Sequence, residues 1–113
     1  MGKPLDELLT LAEPAVEVRV RGKLVRLRHP SFGEWHELAG AHRRLKGEDP
    51  PAELVARTVA TCVADANGGR AYSDADLEVL LAGDPRTLMA LYVKCWETVL
   101  RNDEPAVQAA EGN

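Results

Sequence analysis

The stretch "VEVRVRGKLVRLRHPSFGEW", residues 16–35, decides the fold class of this chain. Val16, Val18 and Val20 alternate with Glu17, Arg19 and Arg21, the period of two that marks a half-buried strand. Gly22 interrupts the alternation and Leu24 through Arg28 resume it. A two-residue loop at Gly22-Lys23, with glycine supplying the positive φ of a type II′ or I′ turn, predicts a β-hairpin over residues 15–28. In that register Val20 faces Val25 and Val18 faces Leu27. Arg19 then faces Arg26, a mildly unfavourable like-charge pair. The apolar pairs fall on one face, and Arg19, Arg21, Arg26 and Arg28 on the other. A one-residue slip would mix the two faces. A two-stranded hairpin is marginal alone, so helices must cover its valine face.

The stretch ends in the first of those helices. "SFGE" has the Ser-x-x-Glu spacing of a capping box, Ser31 accepting from the Glu34 amide while Glu34 reaches back. Trp35, Leu38, His42 and Leu45 follow at helical spacing, predicting a helix over about 31–46 with a core stripe. Pro51 opens another helix to about residue 66, with Val55, Val59, Cys62, Val63 and Ala66 along one side. Ser73 with Asp76 repeats the capping spacing before a short helix, about 74–82, that buries Leu77, Leu80 and Leu81. Asp84-Pro85 is an N-cap followed by a first-turn proline. The last helix, about 85–101, carries Leu88, Met89, Leu91, Tyr92, Val93, Cys95, Trp96, Val99 and Leu100. That is too many for one narrow stripe, so it is either central or shares surface with another subunit.

Upstream, "PLDELLTLA" at residues 4–12 reads as a short helix with Leu5, Leu8, Leu9 and Ala12 on one face. The expected fold is therefore α+β and mostly helical. A short N-terminal helix and a hairpin pack on a bundle of about four helices. One globular domain covers residues 1–102, and 103–113, polar and rich in small residues, is a flexible tail.

Composition narrows the function classes. The chain has 113 residues, 45% hydrophobic and 28% charged, as ordinary globular domains do. No apolar run approaches the roughly 20 residues that span a bilayer, so no membrane role is expected. The N-terminus lacks the apolar core of a secretory signal. These features give an intracellular, soluble expectation, and two cysteines among apolar neighbours fit it as buried thiols. The net charge of −4 hides an asymmetry. Residues 16–47 hold eight basic side chains against three acidic, while residues 48–113 hold five against twelve. Such a split favours an acidic partner for one face, or self-complementarity.

No constellation carries catalysis or metal binding. The loop Asp65 through Asp76 has the length of a calcium loop, but Gly69 stands where a ligand is needed and Arg70 where the turn glycine belongs. His36 and His42 lie six apart on one helix and point in different directions. His42 falls in the apolar stripe and reads as a satisfied core or interface histidine. No nucleophile elbow, phosphate loop or dinucleotide fingerprint occurs, so no enzyme, cofactor or metal is expected. The four arginines of the hairpin could track phosphates. No aromatic side chain accompanies them, and the chain is acidic with pI about 5.3, which argues against nucleic acid and toward a protein surface.

The order of parts resembles a known family. The hairpin "VEVRVRGKLVRLRHPSFGEWHEL" runs into a helix with an acidic residue near its start. After a helix pair comes "CVADANGGRAYSDADLEVLL", similar to a recurring Val-x-Asp-x-x-Gly, aromatic or apolar, Ser-x-x-Asp, apolar segment. A last helix is followed by Asn102. Residues 15–102 resemble the small tail-assembly chaperones of tailed bacteriophages and phage-tail-like particles. The doubled Gly68-Gly69 and the acidic tail depart from that pattern. The resemblance implies a non-enzymatic helper in the bacterial host cytoplasm. It would bind the long helical tape measure protein, help recruit tail-tube protein subunits, and be absent from the mature particle. Many members also exist in a longer frameshifted form. Candidate protein-binding residues are Arg19, Arg21, Arg26 and Arg28 on the hairpin, and Leu88, Leu91, Tyr92 and Trp96 on the last helix, which could also drive self-association. The alternatives are a nucleic-acid-binding or regulatory module using the arginine face, and a structural tail connector or terminator protein.

Overall fold

Two consecutive residues with positive φ close the hairpin. Arg21 at 50° and Gly22 at 83° are the two turn residues of a type I′ loop. In this computed structural model, which describes residues 2–9 and 14–101, the strands are β1 (Val16–Val20) and β2 (Lys23–Leu27). Val16 pairs with Leu27, Glu17 with Arg26, Val18 with Val25, Arg19 with Leu24 and Val20 with Lys23. The turn therefore lies one residue earlier than the Gly22-Lys23 expectation, and the register is shifted by two. Electrostatics explains the choice. The shift removes the Arg19-to-Arg26 opposition and puts Glu17 across from Arg26, their charged groups 3.6 Å apart. An even shift leaves the faces unchanged. Val18, Val20 and Leu27 are buried, while Glu17, Arg19 and Arg26 are exposed.

Helix α1 (Asp6–Leu9) lies within the expected 4–12, of which residues 10–12 fall outside the described residues. Leu5 and Leu9, expected on a packed face, are exposed. Helix α2 (Phe32–Arg43) begins at the anticipated cap. Ser31 Oγ accepts from the Glu34 amide at 3.2 Å, and Glu34 accepts from the Ser31 amide at 2.8 Å. Of its expected stripe, Leu38 is buried and Trp35 and Leu45 are half-buried, but His42 is exposed.

Helix α3 (Ala52–Cys62) is the centre of the fold. Leu54, Val55, Ala56 and the run Thr58–Cys62 are all buried. It packs on α2, α4 and α5 together. A helix covered all round is apolar or small all round, and its only charges are Glu53 in the first turn and Arg57. Here the structure corrects the expectation that α3 runs to residue 66. Val63 turns extended at ψ 125°, and Ala64 donates to Arg26 O at 2.8 Å while Arg28 donates to Cys62 O at 2.7 Å. The segment after α3 thus adds isolated bridges beside the two-stranded sheet: Leu27 bridges to Val63, and Ala64 to Arg70. Asp65 closes the intervening turn, accepting from Asn67 and Gly69.

Ser73 caps a 3-10 turn (Asp74–Asp76) in a second capping box, and α4 (Leu77–Leu81) follows directly. Leu80 is buried and Leu77 half-buried, but Leu81 is 48% exposed, against expectation. Asp84 caps α5 (Pro85–Glu97) by accepting from the Thr87 amide at 3.0 Å. Helix α5 ends four residues before the expected 101, yet its sequel stays inside. Val99 and Leu100 are buried, the Leu100 amide donates to Cys95 O, and its carbonyl accepts from Trp35 Nε1. Full burial of a leucine contributes roughly 1.5–3 kcal/mol, enough to hold this non-helical segment in place. Asn102 and the tail 103–113 lie outside the described residues.

Candidate functional site

Residues of the first turns of α3 and α5 and of the end of α4 line an apolar groove of about 250 Å³. Val55 and Ala56 of α3, Leu80 and Leu81 of α4, and Leu88 and Met89 of α5 line it. Gly83 is part of its lining. A Cβ there would stand 2.9 Å from Leu88 Cδ2 and 3.1 Å from the Leu80 carbonyl oxygen, so a larger residue would force the Leu88 side chain to shift. Leu81, Met89 and Val93 expose 48%, 40% and 45% of their surfaces. Met89 and Val93 lie one turn apart, so the apolar strip continues along α5 beyond the groove. Asp49, Glu53 and Asp84 adjoin the lining residues in sequence, as do Arg57 and Arg86, so charges of both signs flank the groove.

The candidate residues of the last helix separate into three groups. Leu88 lines the groove. Leu91 and Tyr92 are buried in the core. Trp96 is half-buried beneath His42, the rings stacked with centroids 4.3 Å apart and planes at 24°. His42 Nδ1 and Tyr92 Oη share a hydrogen bond of 2.8 Å. Burial pushes the Tyr92 phenol above its ordinary pKa, so it is neutral. His42 is thus satisfied, as expected, but at the surface rather than inside.

The four arginines do not form one open face. Arg19 and Arg26 lie on the solvent side of the hairpin. Arg21 is in the turn, and Arg28 follows the strand and turns into the domain. Each has a partner within the chain. Arg19 donates to Gly22 O at 3.1 Å, Arg21 lies 3.9 Å from Asp84, and Arg26 pairs with Glu17. Arg28 donates to Thr61 O at 2.6 Å and to Glu34 at 3.3 Å. Burial works against ionisation of Glu34, but the Ser31 amide and the Arg28 guanidinium outweigh it and hold its pKa below the ordinary value. The Thr87 hydroxyl and amide do the same for Asp84.

A polar cleft beside α2 and α3 is occupied by its own ion pairs. Arg57 is bonded to Glu37, and Arg70 lies 3.2 Å from Asp74. Cys62 and Cys95 are free thiols with no exposed surface. A hydrogen bond to Cys62, together with burial, drives the Cys95 thiol far above its ordinary pKa, so it is no thiolate nucleophile. Among the described residues no group of three or more His, Cys, Asp or Glu side chains could hold a metal ion, and no helix is long and apolar enough to cross a membrane.

Sequence reasoning named Leu88 but missed Val55, Ala56, Leu80, Leu81 and Met89 as groove residues. The available signal was the density of apolar residues in "LEVLLAGDPRTLM", more than one short helix and one helical turn can bury. Compared with known proteins, the chain matches no family model, no curated protein and no solved structure.

Proposed function

We propose that this protein is a non-enzymatic assembly chaperone that holds an amphipathic helix of a long helical client in the groove between α3, α4 and α5. The observation that carries this reading is the groove itself, an apolar cleft flanked by half-exposed Leu81, Met89 and Val93. A groove of this kind takes helical anchors at i, i+3 or i+4 and i+7. The resemblance to phage tail-assembly chaperones makes the client a tape measure protein. It also makes the tail-tube protein the second partner, the host cytoplasm the place of action, and the chaperone absent from the mature particle.

The arginine surface supports a nucleic-acid module poorly, because Arg28 turns into the domain and the four cations do not form one open face. The test is co-expression with a neighbouring gene encoding a long helical protein. The client should stay in solution and co-purify. Equal solubility alone, without co-purification, contradicts the chaperone reading, and recovery of the chain from purified particles indicates a structural tail protein instead.

A further inference from the structure

An edge strand in an antiparallel sheet points the backbone groups of alternate residues away from its partner. On β1 that alternation follows from two bonds on the far side of β2. Ala64 donates to Arg26 O and Arg28 to Cys62 O, so Arg26 and Arg28 direct their backbones away from β1, while Val25 and Leu27 direct theirs toward it. Their partners Val18 and Val16 therefore face β2, as does Val20 opposite Lys23. Glu17 and Arg19 are left with N–H and C=O directed off the sheet. Both residues are exposed, and among the described residues no backbone group is hydrogen-bonded to that edge. The opposite side of the sheet is closed by Val63 and Ala64.

A free edge is a template for another strand, and the charges along it select which strand fits. The sequence of β1 is Val16-Glu17-Val18-Arg19-Val20, with opposite charges placed symmetrically about Val18. We propose that β1 pairs antiparallel with β1 of a second copy of this chain, across a two-fold axis through Val18, to form a continuous sheet.

In that register the outward-pointing residues meet each other. Glu17 lies opposite the second copy's Arg19, and Arg19 opposite the second copy's Glu17. Each pair exchanges two backbone hydrogen bonds and places opposite charges side by side on the solvent face. A slip of two residues would set Glu17 against Glu17 or Arg19 against Arg19. A slip of one would bring outward-pointing residues opposite inward-pointing ones, leaving backbone groups unmatched. The interface is isologous, so pairing stops at two copies and does not propagate into fibres.

Sedimentation equilibrium of the full chain over a concentration series tests this. The wild type should approach twice the monomer mass, and Arg19→Glu and Glu17→Arg should each remain monomeric because each sets like charges opposite one another. An equimolar mixture of the two variants should form a one-to-one dimer, since every acidic position on one then meets a basic position on the other. Arg19→Pro removes an outward N–H while breaking no bond to β2, and should be folded by circular dichroism yet monomeric. Should Glu17→Arg unfold for want of its partner Arg26, Arg19→Glu and Arg19→Pro decide the matter alone. A wild type that is monomeric at every soluble concentration, folded Arg19 variants that dimerise as the wild type does, or two folded charge variants that fail to combine each overturn the proposal.

Discussion

Trp35 of α2 donates its indole N–H to the carbonyl of Leu100, 2.8 Å away and 65 positions later in the chain. The bond fastens the segment after α5 beneath α2 and satisfies a carbonyl that belongs to no helix. Trp35→Phe keeps most of the ring and removes the donor. It should lower stability by about 1 kcal/mol, read as a smaller urea midpoint with an unchanged slope. Phe32→Ala, at a side chain 77% exposed, should change stability by no more than about 0.5 kcal/mol.

The hydrogen bond between His42 and Tyr92 should be measurable as a coupling. In a double-mutant cycle with His42→Ala and Tyr92→Phe, an interaction energy of roughly 0.5–1.5 kcal/mol is expected. Additive effects would show that the hydrogen bond contributes nothing. Tyr92→Asp is a harsher change, placing a carboxylate at a site 4% exposed, and should cost at least about 3 kcal/mol or prevent folding.

Acid should weaken the fold through Glu34 and Asp84. Both carboxyls are held below their ordinary values of 4.5 and 3.8 in the folded chain. A depressed folded pKa contributes stability above the unfolded pKa, and that stability is lost as pH falls through the folded value. Urea unfolding at a series of pH values should therefore show stability dropping below about pH 4.5. Combining Glu34→Gln with Asp84→Asn should lower stability at neutral pH and flatten that drop. An acid limb as steep as the wild type's would contradict the assignment.

The turn offers a test of register. Arg21 adopts φ 50°, a region that asparagine tolerates better than arginine. Arg21→Asn creates Asn-Gly, the favoured type I′ pair, and should raise stability by about 0.5–1 kcal/mol. The substitution also removes the Arg21-to-Asp84 ion pair, which is exposed and contributes little. If the turn lay at Gly22-Lys23, position 21 would be in a strand and asparagine would destabilise.

Much of this fold was legible because caps and periodicities are local. Ser31 with Glu34, Ser73 with Asp76, and Asp84 before Pro85 marked three helix starts, and the valine alternation marked the hairpin. The register was not legible from faces alone, because an even shift preserves them, and the Glu17-to-Arg26 pair breaks the tie only once both registers are compared. The end of α3 was hidden because Val63 and Ala64 suit a helix by pattern and leave it for hydrogen bonds to β2, which sequence spacing does not reveal. The groove was hidden for a similar reason. Leu80 and Val55 read as core residues, and only the tertiary arrangement of α3, α4 and α5 brings them to a cleft with Leu88.

The central claim is that the α3–α4–α5 groove holds a client helix. The most direct measurement is the amount of co-expressed long helical client retained in solution by wild type, by Leu81→Glu with Met89→Glu, and by Val79→Glu. Val79 is 66% exposed on α4 but does not line the groove. Wild type and Val79→Glu should retain the client equally, while the groove variant, still folded, should lose it. Equal retention by all three would contradict the account.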